Sequence, residues 1–338
     1  MKIVVRGTNW IGDAVMTIPA IRRLRDLFPG AKLSLLAPPL TASLFRGSTI
    51  FDDVVEAGSL LAQVRHLRKS RFDLAVIFPN SFKSALALRL GGVVRRTGYA
   101  TDGRSMLLTD AVPVPVWKDH RHETLYYLHL VETAGESTSP VSPDEVTEPR
   151  IDIATAELDR ANELLERRGV ERENPLVVVA PGSTNSRAKR WTAESFAEVC
   201  DRLRRDLAAS VVLMGSSGDA TVSRRVRELA GENITDITGE TDVSTAAAIL
   251  ERADLLISND MGLAHLAPAV GTETIVIFGP TNPVTTRPYS RKATVMTASV
   301  ECSPCMLRDC PIDHRCMTRI TPDAVFDQAR RVLQNERC

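Results

Sequence analysis

Short apolar runs rich in β-branched residues alternate with helical patterns along the whole 338-residue chain, and this alternation restricts the fold more than any other feature. It is the signature of parallel α/β architecture. In the first half, residues 2–6 (KIVVR), 32–37 (KLSLLA) and 74–78 (LAVIF) read as strands. A helix with Ile18, Ile21, Leu24 and Leu27 at helical spacing follows the first strand and closes at Pro29-Gly30, and residues 60–70 carry a second helical pattern. Residues 137–150 (STSPVSPDEVTEPR) lack apolar periodicity and read as a linker or surface loop. A charged helix over 155–168 then opens a second run of strands at 176–180 (LVVVA), 211–214 (VVLM), 255–258 (LLIS) and 274–278 (TIVIF). Thr321 as N-cap and Pro322 at the first helical position start a terminal helix. The pattern predicts two domains, residues 1–150 and 151–320, with 321–338 as a terminal helical segment. The architecture repeats, while the sequence does not. Ligands of open α/β sheets sit beyond the carboxyl ends of the strands, so the loops just after the strands are the ones to read for chemistry.

The length suits two cores, and 43% apolar residues suffice to fill them. Lys and Arg number 42, as do Asp and Glu, and the resulting zero net charge argues against nucleic-acid binding. No basic segment leads into an apolar one at the start of the sequence, and no run approaches the roughly 18 apolar residues of a membrane span. The expectation is a cytoplasmic protein that touches a membrane only peripherally.

Four loops carry candidate chemistry. In residues 6–14 (RGTNWIGDA), Asp13 stands where a helix begins. It fits either a carboxylate that complements the helix dipole or a base that accepts a proton from a hydroxyl. The loop matches neither G-x-G-x-x-G nor a P-loop, which weakens a dinucleotide oxidoreductase reading. Residues 180–191 (APGSTNSRAKRW) gather small residues, Ser183, Thr184 and Lys189 at one strand end, suited to a phosphate or simply to solvent. In residues 258–271 (SNDMGLAHLAPAVG), Asp260, Met261 and Gly262 begin a helix that Gly271 ends, and His265 lies within it. Gly279-Pro280-Thr281 turns the chain with a further hydroxyl. Separately, Cys302, Cys305, Cys310 and Cys316, with His314 among them, fit either a zinc site or packed thiols; their spacing is tighter than that of paired zinc knuckles, and no metal site is assigned. No two aspartates stand two apart, so the D-x-D element of many metal-dependent glycosyltransferases is missing and no cofactor is called for.

Together these segments resemble the ADP-heptose:lipopolysaccharide heptosyltransferase family, and within it the heptosyltransferase II branch. The resemblance rests on WIGDAV, NSFKSAL, RRTGY, PGSTNSRAKRW, SNDMGLAHLAPAVGT, FGPTNP and CSPCMLRDCPIDHRCM, and covers nearly the whole chain. It implies a GT-B fold, two Rossmann-like doubly wound domains facing across a cleft, with acceptor bound by the first and ADP-heptose by the second. The terminal helix is implied to cross back to the first domain. By motif position, Asp13 is the implied base and Lys189 the group that meets leaving-group charge. Ser183, Thr184, Lys189, Asp219, Asp260, Met261, Gly262 and His265 are implied at the donor. Met261 stands where related first-branch enzymes carry Thr, which leaves only backbone to donate there. Lys83, Arg95 and Arg96 either meet acceptor phosphates or carboxylates or are solvated surface charge. The implied reaction is inverting transfer from ADP-heptose to a Kdo-lipid A-linked heptose at the cytoplasmic face of the inner membrane. A heptosyltransferase I, another nucleotide-sugar enzyme of this fold and a non-catalytic nucleotide-sugar-binding protein are the rival readings.

Overall fold

The computed structural model describes all residues except 138–141, 172, 185, 232 and 335–338. Parts of the expected linker and terminal segment, and Asn185 of the Lys189 loop, lie outside the described residues. The chain divides into two compact units, Met1–Ile151 and Asp152–Cys338.

The first unit holds six strands: β1 (Lys2–Arg6), β2 (Lys32–Ala37), β3 (Asp53–Glu56), β4 (Leu74–Ile77), β5 (Arg95–Tyr99) and β6 (Asp110–Val112). They form one sheet in the order β3-β2-β1-β4-β5-β6, every pair parallel. The second unit repeats this with β7 (Leu176–Ala180), β8 (Ser210–Leu213), β9 (Thr235–Asp236), β10 (Leu255–Asn259), β11 (Glu273–Phe278) and β12 (Ala293–Thr297). Its order, β12-β11-β10-β7-β8-β9, is the same doubly wound topology, again all parallel. Helices cover both faces of such a sheet, which is why β4 and β7 read as unbroken apolar runs and are buried at every position.

Local signals explain the helix starts. Ser59, Ser81, Thr192 and Asp242 each accept a backbone N–H in the first turn of the helix they precede. Thr321 does the same for the helix Pro322–Leu333, with Pro322 in its first turn. That helix buries Val325, Phe326 and Ala329 inside the second unit, where it packs on the helix Ala193–Leu207. Trp191, 1% exposed, joins the same core, and its indole N–H donates to the Ile320 carbonyl at 2.9 Å. In the first unit, Val4, Ala75 and Ile77 of the sheet pack with Leu67, Ala85 and Leu88 of the covering helices. No helix among the described residues is long and apolar enough to cross a membrane.

In each sheet the strand order reverses between the first and fourth strands, β1/β4 and β7/β10. The loops leaving the carboxyl ends of those strands diverge to opposite faces and open a crevice, which makes them the expected ligand positions.

Candidate active site

In the second unit, Ala180 of β7 lies opposite Ser258 of β10, so the two candidate loops start side by side. Asn259, the last residue of β10 and fully buried, fastens them together. Its Nδ2 donates to the carbonyls of Pro181 (2.8 Å) and Gly182 (3.0 Å), and its Oδ1 accepts from the Trp191 N–H (2.9 Å). One side chain thus holds both ends of the 181–191 loop. Between those ends, the short 3-10 turn Arg187–Lys189 presents Lys189.

Lys189 Nζ stands 2.7 Å from Oδ2 of Asp260, and the Thr281 hydroxyl donates to the same oxygen at 2.7 Å. Asp260 is buried and Lys189 half-buried, so the pair is protected from much of the solvent screening that makes surface pairs weak. One carboxylate therefore gathers a cation from the loop after β7 and a hydroxyl from the turn after β11. His265 lies on the adjoining helix Gly262–Val270, 5% exposed, and its Nδ1 has no partner among the described residues. Burial holds its imidazole down at about 4; Lys189 pushes the same way and Asp260 opposes both. The ring is accordingly neutral at pH 7.

Ser183 is buried, with an Oγ that lacks a partner among the described residues, and Thr184 is exposed. Met261 is the N-cap of the helix Gly262–Val270 and makes no side-chain cap bond, so the first backbone N–H groups stay available to an anion. Gly271 ends that helix at φ +106°, as its position in the sequence implied. Asp219 has a local job: its Oδ2 accepts from Ser216 N–H (3.0 Å) and Ser216 Oγ (2.7 Å) in a capping box. It packs directly against Gly182.

The cysteine-rich segment, residues 302–316, braces the Lys189 turn. The Arg308 carbonyl accepts from Ala188 N–H (2.9 Å) and Ser186 Oγ (3.2 Å), His314 Nε2 meets the Ala188 carbonyl at 2.6 Å, and Arg187 pairs with Asp309 at 2.7 Å. Cys302 and Cys305 are exposed, Cys310 is half-buried and Cys316 buried, all as free thiols. Among the described residues, no three His, Cys, Asp or Glu side chains stand close enough together to hold a metal ion.

In the first unit, Asp13 is the third residue of the helix Ile11–Met16, directly after β1, and is half-buried. Its charge adds to burial in pushing the Tyr127 phenol up. The cap position belongs to Trp10, which makes no side-chain bond there. Lys83 is exposed on the helix Phe82–Leu90 that follows β4. Arg95 and Arg96 require a correction. They are the first two residues of β5, at the amino edge of a parallel sheet, whereas Asp13 and Lys83 follow carboxyl ends. Arg95 pairs with Asp110 (2.6 Å) and Glu136 (3.1 Å). Arg96, 9% exposed, donates Nε to the Leu107 carbonyl at 2.8 Å and Nη1 to the carbonyls of Val93 and Val94. Both are braces of the sheet edge. Asn259 is a further candidate position that the sequence reading left unassigned, and Thr281, offered there only as a hydroxyl in a turn, joins Lys189 at Asp260; Asn259 ends an apolar strand and Thr281 stands three residues after one.

Comparison with known proteins agrees with this geometry. Residues 60–315 match glycosyltransferase family 9 (heptosyltransferase). Lipopolysaccharide heptosyltransferase 2 of Escherichia coli is 27% identical, over 99% of this chain and 99% of that protein. Lipooligosaccharide heptosyltransferase 2 of Campylobacter jejuni is 26% identical over the same shares. The solved structure of the E. coli ADP-heptose LPS heptosyltransferase II superimposes with a TM-score of 0.86 at 26% identity, covering 99% of both chains, and the fold is GT-B-like. A family 9 glycosyl transferase from Veillonella parvula shares that fold, with a TM-score of 0.84 at 21% identity over 99% of this chain and 97% of that one. The chain belongs to glycosyltransferase family 9, the heptosyltransferases, and is a glycosyltransferase.

Proposed function

We propose that this enzyme transfers L-glycero-D-manno-heptose from ADP-heptose to the first heptose of the lipopolysaccharide inner core, inverting the anomeric carbon. The observation that carries the reading is the group Lys189, Asp260 and Thr281 at the switch point of the second unit, beside a helix start with unspent N–H groups. The names of the full-length relatives supply the sugar and the acceptor class. In the transition state, positive charge builds on the anomeric carbon and negative charge on the departing ADP. Lys189 and the backbone at Met261 and Gly262 stabilise that leaving group, and Asp260 holds the ammonium in place beforehand, so little reorganisation accompanies the reaction. Ser183 and His265 add neutral polar contacts to the donor. Asp13 takes the acceptor proton, which speeds such a step by ~10²–10⁴, and Lys83 meets acceptor charge. Because the acceptor is linked to Kdo-lipid A, the enzyme works at the cytoplasmic face of the inner membrane and touches it only peripherally.

The test is Lys189→Ala. ADP titrated by calorimetry should bind at least about tenfold more weakly to the variant, since a charge-assisted contact contributes roughly 1.5–3 kcal/mol. Equal ADP affinity would remove Lys189 from the donor site.

A further inference from the structure

Arg6 is the last residue of β1, at the carboxyl end of the strand where the first sheet reverses its order. It is 8% exposed, and no carboxylate acts on its charge among the described residues. Nη1 is spent on the carbonyls of Gly7 (2.6 Å) and Leu36 (3.2 Å), while no described group accepts from Nε or Nη2. Two residues on, Thr8 is 5% exposed; its carbonyl accepts from Thr41 Oγ1 at 2.9 Å, but its own Oγ1 has no partner among the described residues.

The other buried arginines of this unit are not left in this state. Arg104 distributes Nε, Nη1 and Nη2 over the carbonyls of Tyr99, Pro79 and Ser81 and the Asn80 side chain, and Asp102 supports its charge. Arg96 is surrounded by carbonyls and supported by Asp110. For Arg6, burial alone acts on the guanidinium and lowers it to about 10. A buried cation without a counter-charge is unfavourable, and in enzymes that burden is carried where a ligand relieves it. The unpaired Nε–Nη2 edge is the planar fork that binds a carboxylate or phosphate through two parallel hydrogen bonds.

We propose that Arg6 and Thr8 form an anion subsite at the switch point of the first unit, which takes a carboxylate or phosphate carried by the sugar acceptor. The Arg6 fork grips two oxygens of the anion and the Thr8 hydroxyl donates to one of them. The loop 7–12 then leads from the gripped anion to Asp13, so fixing the anion orients the acceptor hydroxyl toward the base. The identity of the anion's carrier rests on the heptosyl-transfer reading; the binding of the anion does not.

The experiment reads anion binding without donor or turnover. The melting temperature of the wild-type chain is followed while inorganic phosphate, glucuronate or uncharged glucose is added, and again for Arg6→Met, Arg6→Lys and Thr8→Val. Phosphate or glucuronate should raise the wild-type value to a plateau, and glucose should leave it unchanged. Whichever anion acts identifies the acceptor group as phosphate or carboxylate. Arg6→Met should melt no lower than wild type without anion and should lose the response; Arg6→Lys and Thr8→Val should retain a weakened one. In transfer assays Arg6→Met should raise the acceptor KM roughly tenfold or more and leave the donor KM unchanged. A wild-type chain with no saturable response to either anion overturns the proposal. So does an Arg6→Met that melts several degrees lower yet responds as wild type does, since Arg6 would then be only a brace of Gly7 and Leu36. If Arg6→Met does not fold, an undiminished response in Arg6→Lys and Thr8→Val overturns it equally.

Discussion

A single oxygen, Asp260 Oδ2, receives both the Lys189 ammonium and the Thr281 hydroxyl, so the cation that the sequence offers as free is held by a partner. Lys189 is therefore already fixed in direction, which suits the proposed diphosphate contact to preorganised stabilisation rather than to capture by a flexible charge. His265 beside this pair makes a pH prediction. Its folded value of about 4 lies below the ordinary 6.5, so between these values the unfolded chain takes up a proton that the folded ring refuses. Stability should therefore fall as pH falls through this window, by about 3 kcal/mol from this ring alone. Denaturant unfolding of wild type and His265→Leu near pH 7 and near pH 4 checks it; equal losses in both proteins would remove His265 as the source. On the acceptor side, Asp13→Asn should keep ADP affinity and lose at least about a hundredfold in turnover. Near-normal turnover would reduce Asp13 to a helix-start carboxylate. Asp13, Lys189, Asp260 and His265 could be picked out as candidates in the sequence because each lies in the loop or first helical turns that follow an apolar strand. Arg95 and Arg96 misled for a physical reason: a basic pair beside a strand does not reveal which end of the strand it occupies, and these two begin β5.

The elements around the donor loop act as its scaffold, and here the sequence was less informative. The cysteine-rich segment drew notice for its thiols, yet its contacts to the Lys189 turn run through the Arg308 carbonyl, the His314 ring and Asp309. Backbone carbonyls leave no trace in a motif, and the pairing spans more than a hundred residues. The strands and helix starts were easier, because period, caps and burial all point one way at β7, β10 and Thr321. Gly182 shows how tightly the loop is built. A Cβ placed there would stand 2.2 Å from Asp219 Cγ, and Asp219 cannot swing aside without breaking its capping box. Gly182→Ala should cost roughly 1–3 kcal/mol, as overpacking does, and should weaken ADP binding as the loop shifts. Unfolding and ADP titration of this variant measure both, and a variant unchanged in both would show the loop to be compliant.

At the scale of the molecule, the same doubly wound topology occurs twice, and each copy places its candidate groups after the first and fourth strands of its sheet. That duplication was readable as architecture, since both halves alternate apolar strands with amphipathic helices without sharing sequence. The division of labour, acceptor groups in one unit and donor groups in the other, came from the family resemblance rather than from patterning. That division suits the proposed transfer, in which the sugar moves from the nucleotide donor to the acceptor and the nucleoside diphosphate leaves, without a D-x-D metal element. The direct test incubates the purified chain, in buffer containing EDTA, with ADP-heptose and Kdo-lipid A carrying either one heptose or none, and reads the products by mass spectrometry. The account predicts the gain of one heptose on the acceptor that already bears one, with ADP released in equal amount and no addition to the unheptosylated acceptor. Addition only to the unheptosylated acceptor, or product only after a divalent cation is restored, would contradict it.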